Sequence, residues 1–300
     1  MKIFLTGGSG MVGSAIKRLA PPEFEIHAPS HADLDLTDRA ALRSYYKQHS
    51  FDLVIHTAAK VGGIKANMND MAGFLTENIL ISTHVIDEAH QAGIKNLINF
   101  GSSCMYPRDY KTPLKETDLL TAPLEPTNEG YAIAKIAAAK LCAYLSEQHN
   151  VNYKTLIPCN LYGPDDNFDP ETSHLLPAAI LKIKTAMETN ASTVEIWGDG
   201  TPRREFVYVD DIANFVWHIA SKLETIPPTL NIGAGSDLTV TECYQTIADA
   251  LGYTGTFTYK PDAPKGMSYK LMDTSLATQS GWNPSTDLKT GTRKIYESLN

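Results

Sequence analysis

Residues 2–13 read Lys-Ile-Phe-Leu-Thr-Gly-Gly-Ser-Gly-Met-Val-Gly, an apolar strand-like run followed by glycines spaced G-x-x-G-x-x-G and then by a helix-period segment. No other stretch restricts the fold as strongly. Gly7, Gly10 and Gly13 at this spacing let the backbone turn sharply, approach a pyrophosphate, and present the first amides of the next helix, with Met11 and Val12, to that anion. The chain continues in the same rhythm. Phe24–Ala28, Asp52–Thr57, Asn96–Gly101 and Tyr153–Cys159 join Lys2–Thr6 as short β-branched runs, separated by helical patterns over Met11–Leu19, Asp38–His49, Met68–Ala92 and Asn128–His149. Strands alternating with helices of this length predict an α/β fold with a doubly wound parallel sheet of the Rossmann type. Thr37 is placed to cap the second helix.

Beyond Tyr162 the rhythm breaks. Gly163-Pro164-Asp165-Asp166-Asn167-Phe168-Asp169-Pro170 is a turn-rich loop, His174–Thr189 reads as a helix, and Glu205–Leu223 reads as a strand and helix returning to the main sheet. The expected division is therefore a dinucleotide-binding domain over 1–162 and 204–227, with a smaller C-terminal substrate domain over 163–203 and 228–300. A net charge of −8 disfavours a nucleic-acid or anionic-membrane partner, since either needs a broad basic face. Cys104, Cys142, Cys159 and Cys243 lie too far apart for a zinc site or a disulfide framework, so free thiols and no metal are expected. With no membrane-length apolar run and no basic region before an N-terminal apolar stretch, the chain reads as cytoplasmic.

Several residues stand where cofactor chemistry would use them. Asp35, followed by Leu36, comes after the second strand and is placed to accept from an adenine amino group, whereas Asp38 reads as first-turn helix charge. Ala58, in His56-Thr57-Ala58-Ala59, keeps the end of the third strand small beside a cofactor. Tyr131 and Lys135, four apart in a helical segment, share one face, where an ammonium lowers a phenol toward a useful pKa. Ser102 ends a strand between the glycine loop and that pair, and Cys104 follows two residues later in Gly101-Ser102-Ser103-Cys104-Met105-Tyr106-Pro107. A lone cysteine there reads as a small buried hydrophobe.

The glycine loop, the strand-end serine and the Tyr-x-x-x-Lys pair, in this order, resemble the extended short-chain dehydrogenase/reductase family. The segments 58–64, 101–107, 124–129 and 160–164, then Ser173–Pro177, Trp197-Gly198 and Arg204-Glu205-Phe206, are similar to its GDP-4-keto-6-deoxymannose epimerase/reductases over nearly the whole chain. The resemblance implies that a GDP-linked 4-keto-6-deoxy sugar is inverted at C3 and C5 and then reduced at C4 by NADPH, giving GDP-L-fucose. It assigns Ser102, Tyr131 and Lys135 to reduction, Lys135 also to the cofactor ribose, and Cys104 and His174 to the proton transfers of epimerisation. Arg204, Lys182, Trp197 and Asp273 fall to the nucleotide-sugar. It also implies a homodimer through the helices of 68–92 and 128–149.

Two departures qualify this resemblance. Relatives with Gly-His-Arg-Gly use that arginine, and one after strand two, for the cofactor 2'-phosphate; this chain has Ser9 and Ser30-His31 there. Ser30 and His31 remain able to hydrogen-bond a phosphate, and strand two lacks the terminal acid of a strict NAD enzyme, so NADPH is expected. Gly130, just before Tyr131, has no explanation in the sequence. Sister enzymes acting on dideoxy or heptose sugars share nearly the same machinery. Sugar-nucleotide dehydratases usually carry an acid pair where Ser103-Cys104 stands, and non-catalytic dinucleotide sensors commonly lose the tyrosine or lysine retained here.

Overall fold

The computed structural model describes residues 1–169, 173–261 and 268–299. Among them a six-stranded sheet is built from β1 (Lys2–Thr6), β2 (Glu25–His27), β3 (Leu53–His56), β4 (Asn96–Phe100), β5 (Asn152–Pro158) and β10 (Thr229–Ile232), in the order β10-β5-β4-β3-β1-β2. Every pairing within it is parallel. The crossovers are α1 (Met11–Arg18), α2 (Arg39–Gln48), a short α3 (Ile64–Asn69) with α4 (Met71–Gln91), and α5 (Glu129–His149). Successive strand residues feed opposite faces: Ile3, Leu5, Leu53, Ile55, Ile98 and Phe100 enter one core, and Phe4, Val54 and Leu97 the other.

Winding outward in both directions from β1 and β3 leaves a switch point between them. The carboxyl ends of these strands open there onto a shared crevice, where such sheets bind ligands.

The remaining elements are β6 (Asn160–Tyr162), α6 (Leu175–Glu188), β7 (Thr193–Trp197), β8 (Arg203–Arg204), β9 (Phe206–Tyr208), α7 (Val209–Ile219), β11 (Leu238–Thr239), α8 (Val240–Leu251), β12 (Thr256–Lys260), α9 (Ser275–Gln279) and α10 (Leu288–Ser298). A separate core of Leu176, Ile180, Ile183, Val194, Ile196, Tyr244, Ile247 and Ile295 holds most of them together as a second lobe.

Two expectations need correction. Phe206–Tyr208 does not rejoin the main sheet; it pairs in parallel with Asn160–Tyr162, and the strand that returns is Thr229–Ile232, two residues beyond the expected boundary at 227. Asp38, not Thr37, caps α2. Its carboxylate accepts from the amides of Ala40 and Ala41, while the Thr37 hydroxyl is drawn back to Asp35 at 2.7 Å. Part of the 163–170 loop, Pro170, lies outside the described residues.

Candidate active site

The three glycines act differently at the end of β1. Gly7 has φ +73°, and a Cβ there would lie 2.7 Å from the Ala58 amide nitrogen, so the turn fits tightly against the end of β3. A Cβ on Gly13 would stand 2.1 Å from the Gly7 carbonyl oxygen, which is how closely α1 packs on the loop. At Gly10 the nearest such atom is 3.6 Å away, leaving room for a ligand. Gly10 also precedes α1 with no side-chain cap, so the amides of the first turn, at Met11 and Val12, keep their donors available. These residues fit a dinucleotide diphosphate.

Asp35 lies in an open cleft of about 460 Å³ whose walls include His31, Thr37, Thr76 and Leu80. Two hydrogen bonds from Thr37 hold its carboxyl below the usual range and keep it charged. The Leu36 carbonyl is bonded to the His84 ring.

A second group of residues gathers at the end of β4. Ser102 opens one turn of 3₁₀ helix over Ser103–Met105 that buries Cys104, whose amide donates to the Ser102 hydroxyl at 3.4 Å. Tyr131 and Lys135 reach this loop from α5. Burial raises the Tyr131 phenol well above its ordinary pKa, a rise that the Ser102 hydroxyl partly opposes. Lys135 is buried, donates to the Phe100 carbonyl at 2.9 Å and lies 5.8 Å from the Tyr131 ring centroid. Burial pulls its ammonium down to about 8, opposed by the Cys104 thiol. The expected lowering of Tyr131 by Lys135 is absent here: the ammonium addresses the ring face and a carbonyl, and desolvation governs the hydroxyl. Ser102, Cys104, Tyr131 and Lys135 are thus brought together.

His174, Lys182 and Trp197 lie on the second lobe, with Arg204 and Asp273 beside it. His174 precedes α6; the residue is partly open to solvent, while lost hydration of its imidazole lowers its pKa. Lys182 donates to the Glu195 carbonyl at 3.0 Å with its ammonium 5.0 Å from the exposed Trp197 ring. Arg204 donates to the Arg203 carbonyl, and burial lowers its pKa, marking a guanidinium stripped of part of its water. The Asp273 carboxylate accepts from the Ser275 amide at 2.9 Å, a local turn bond that accounts for it structurally.

Lys270 has no motif around it in the sequence, yet it sits with this centre. Residues 268–273 run as an extended strip in which Ser268 accepts from the Arg203 amide, and Leu271 and Asp273 flank Leu114 with bonds of 2.8 and 2.7 Å. Met272 enters the core that also contains Cys104, and Lys270, two residues earlier, shares its face of the strip. Burial raises the Cys104 pKa; the Lys270 ammonium is the largest influence holding it down, followed by Ser102 and Lys135. Burial pulls the Lys270 ammonium down to about 8, opposed by the Cys104 thiol. Gly130 also acquires a reason: a Cβ there would lie 2.6 Å from the Met71 carbonyl, where α5 starts against α4.

The family model described as the NAD dependent epimerase/dehydratase family matches residues 3–233. The chain belongs to this family. Among its relatives, GDP-L-colitose synthase of Yersinia pseudotuberculosis is 47% identical, the match covering 99% of this chain and 97% of the relative. GDP-L-fucose synthase of Azorhizobium caulinodans is 45% identical over 99% of this chain and 95% of its own length. Among solved structures, GDP-mannoheptose C4 reductase from Campylobacter jejuni with NADP bound superposes with a TM-score of 0.90 at 30% identity, covering 99% of this chain and 98% of that one.

Proposed function

We propose that the protein is an NADPH-dependent epimerase/reductase of the GDP-L-fucose synthase type, converting GDP-4-keto-6-deoxy-D-mannose to GDP-L-fucose. The observation that carries this reading is the presence of a buried thiol, Cys104, inside the same loop as the reducing serine, beside Tyr131 and Lys135. Reduction at C4 makes no chemical use of that thiol, whereas epimerisation needs a proton-exchanging group beside the ketone. NADPH supplies the hydride for C4.

Protons flanking the ketone are acidified because their removal gives an enolate, so each inversion needs a base on one face and an acid on the other. Cys104 serves one face, its thiolate made accessible by the Lys270 and Lys135 ammoniums, and His174 serves the other. Reduction then leaves negative charge on the C4 oxygen. Tyr131, kept protonated by its raised pKa, donates to that oxygen, and Ser102 hydrogen-bonds it. Lys135 holds the cofactor ribose. Arg204 and Lys182 take the substrate diphosphate, Trp197 lies against the nucleotide, and Asp273 shapes the cleft wall.

The lobes divide most of these tasks: 1–162 with 204–227 and the strand at 229–232 binds cofactor, with Arg204 at its edge turned to the substrate diphosphate, and 163–203 with the rest of the C-terminal part binds the nucleotide-sugar. Exposed Leu80 on α4, with Ile133 and Tyr144 on α5, supports a homodimer through these helices. Four buried free thiols suit a cytoplasmic enzyme.

The similarity to a GDP-L-colitose synthase favours a second reading, an epimerase/reductase or simple C4 reductase acting on a related GDP-4-keto deoxy sugar. Incubation with GDP-4-keto-6-deoxy-D-mannose in deuterated water without NADPH tests both. Deuterium is expected at C3 and C5, and lost in Cys104→Ser, whose hydroxyl is too weak an acid to supply the anion. Wash-in at one carbon only, or C4 reduction with none, moves the protein to the second reading.

A further inference from the structure

In a dinucleotide fold the adenosine ribose lies at the carboxyl end of the second strand, where an acid takes its 2'-hydroxyl or a cation takes a 2'-phosphate. Ser9, Ser30 and His31 bring no fixed positive charge to this corner. Ser30 is moreover committed to a carboxylate, since its hydroxyl and amide donate to Asp33 Oδ2 at 2.6 and 3.1 Å.

A cation nevertheless arrives from α1. A Cβ built on Gly8 would lie 2.8 Å from Ala28 Cβ and 3.6 and 3.7 Å from Cδ and Cε of Lys17. Ala28 directly follows β2, and Gly8 directly precedes Ser9, so the Lys17 stem runs along the seam between the glycine loop and the strand end. Its side chain is exposed, and among the described residues no hydrogen bond or ion pair occupies the ammonium. The adjacent Arg18 is unavailable, being held at 2.5 Å by Asp210 at the start of α7.

We propose that Lys17 receives the 2'-phosphate of NADP(H), so that a helix residue performs the discrimination that no side chain of the loop or strand end provides. This rests on the NADPH reading above and goes beyond it. Glycine at position 8 is what lets the stem pass, and a compact ammonium with three rotatable donors suits a phosphate whose position is fixed by the rest of the cofactor. The Asp33 carboxylate nearby opposes the same phosphate, so the preference for NADP over NAD is moderate.

Calorimetry on the full chain reads this directly, using NADP⁺, NAD⁺, adenosine 2',5'-bisphosphate and AMP with the parent protein, Lys17→Ala and Lys17→Arg. Lys17→Ala is expected to weaken both 2'-phosphorylated ligands about tenfold, the scale of one charge-assisted contact, while NAD⁺ and AMP bind as before. Lys17→Arg keeps most of the parent affinity. Unchanged binding of the 2'-phosphorylated ligands in Lys17→Ala overturns the assignment, as does equal weakening of all four, which would make Lys17 a packing residue. A parent protein that binds NADP⁺ no better than NAD⁺ overturns the NADPH reading itself.

Discussion

Replacing Lys270 by methionine keeps the length and apolar stem of the side chain but removes the cation beside Cys104. A neighbouring opposite charge shifts a pKa by roughly 1–3 units, and the low end applies because the Ser102 hydroxyl and the Lys135 ammonium still favour the thiolate after the substitution. The thiol pKa is already raised by burial, and loss of the ammonium raises it further. One unit corresponds to about 1.4 kcal/mol, hence about a tenfold smaller thiolate fraction at pH 7. Two assays read the same quantity: the pH dependence of iodoacetamide alkylation at Cys104, and the rate of deuterium wash-in at neutral pD. Both are expected to fall about tenfold in Lys270→Met and to recover in Lys270→Arg. The sign of the pH dependence follows from the titration of Lys270. Below about pH 8 the ammonium is present in the parent and the two proteins differ; above it the parent amine is neutral and the difference closes. A folded Lys270→Met protein with an unshifted alkylation profile would show that the ammonium does not act on the thiol.

Tyr131→Phe removes only the proton donor to the C4 oxygen, so turnover to the alcohol should fall at least a hundredfold while NADP⁺ affinity and deuterium wash-in persist, measured by NADPH absorbance, calorimetry and mass spectrometry. Gly13→Ala inserts a methyl group 2.1 Å from the Gly7 carbonyl, which forces α1 away from the loop; NADP⁺ and NAD⁺ binding should both drop by more than tenfold, with a loss of stability on the order of 1–3 kcal/mol in denaturant titration.

The parts of the protein that depend on neighbouring residues were readable from the chain. The glycine loop, the strand–helix alternation and the four-residue step from Tyr131 to Lys135 are local patterns, and each produces its element almost regardless of context. Register and partner choice are different. Thr37 and Asp38 are both good cap residues, and which one caps α2 was decided by the competing Asp35 carboxylate. Phe206–Tyr208 has a strand composition, but nothing in it specifies pairing with Asn160–Tyr162 instead of the main sheet. Gly130 looked arbitrary because its reason is a carbonyl of a different helix. Ser30 looked free to meet a phosphate until Asp33 closed on it. Lys270 was invisible for the same cause: a lysine in an unpatterned stretch gains meaning only from the chain segments that carry it past a thiol 166 positions earlier in the sequence.

Those segments form one satisfied polar network. Tyr106, two residues after Cys104 in the same loop, donates its hydroxyl hydrogen to Asn231 Oδ1 at 2.5 Å, and the Asn231 amide group donates in turn to the Leu114 and Asp273 carbonyls at 2.9 and 3.0 Å. Leu114 pairs with Leu271 and Asp273, and the Met272 amide donates to the buried Glu205 carboxylate at 3.2 Å. The loop bearing the thiol and the strip bearing Lys270 are therefore fixed to each other through β10, the last strand of the main sheet. Burial raises Glu205 to about 7 while the Gly235 and Met272 amides favour its charged form, so this clasp keeps much of its anion at neutrality. Buried networks hold geometry well only when each member is bonded. Here that property has a chemical consequence: the strip carrying Lys270 is held where its charge bears on how readily Cys104 gives up its proton.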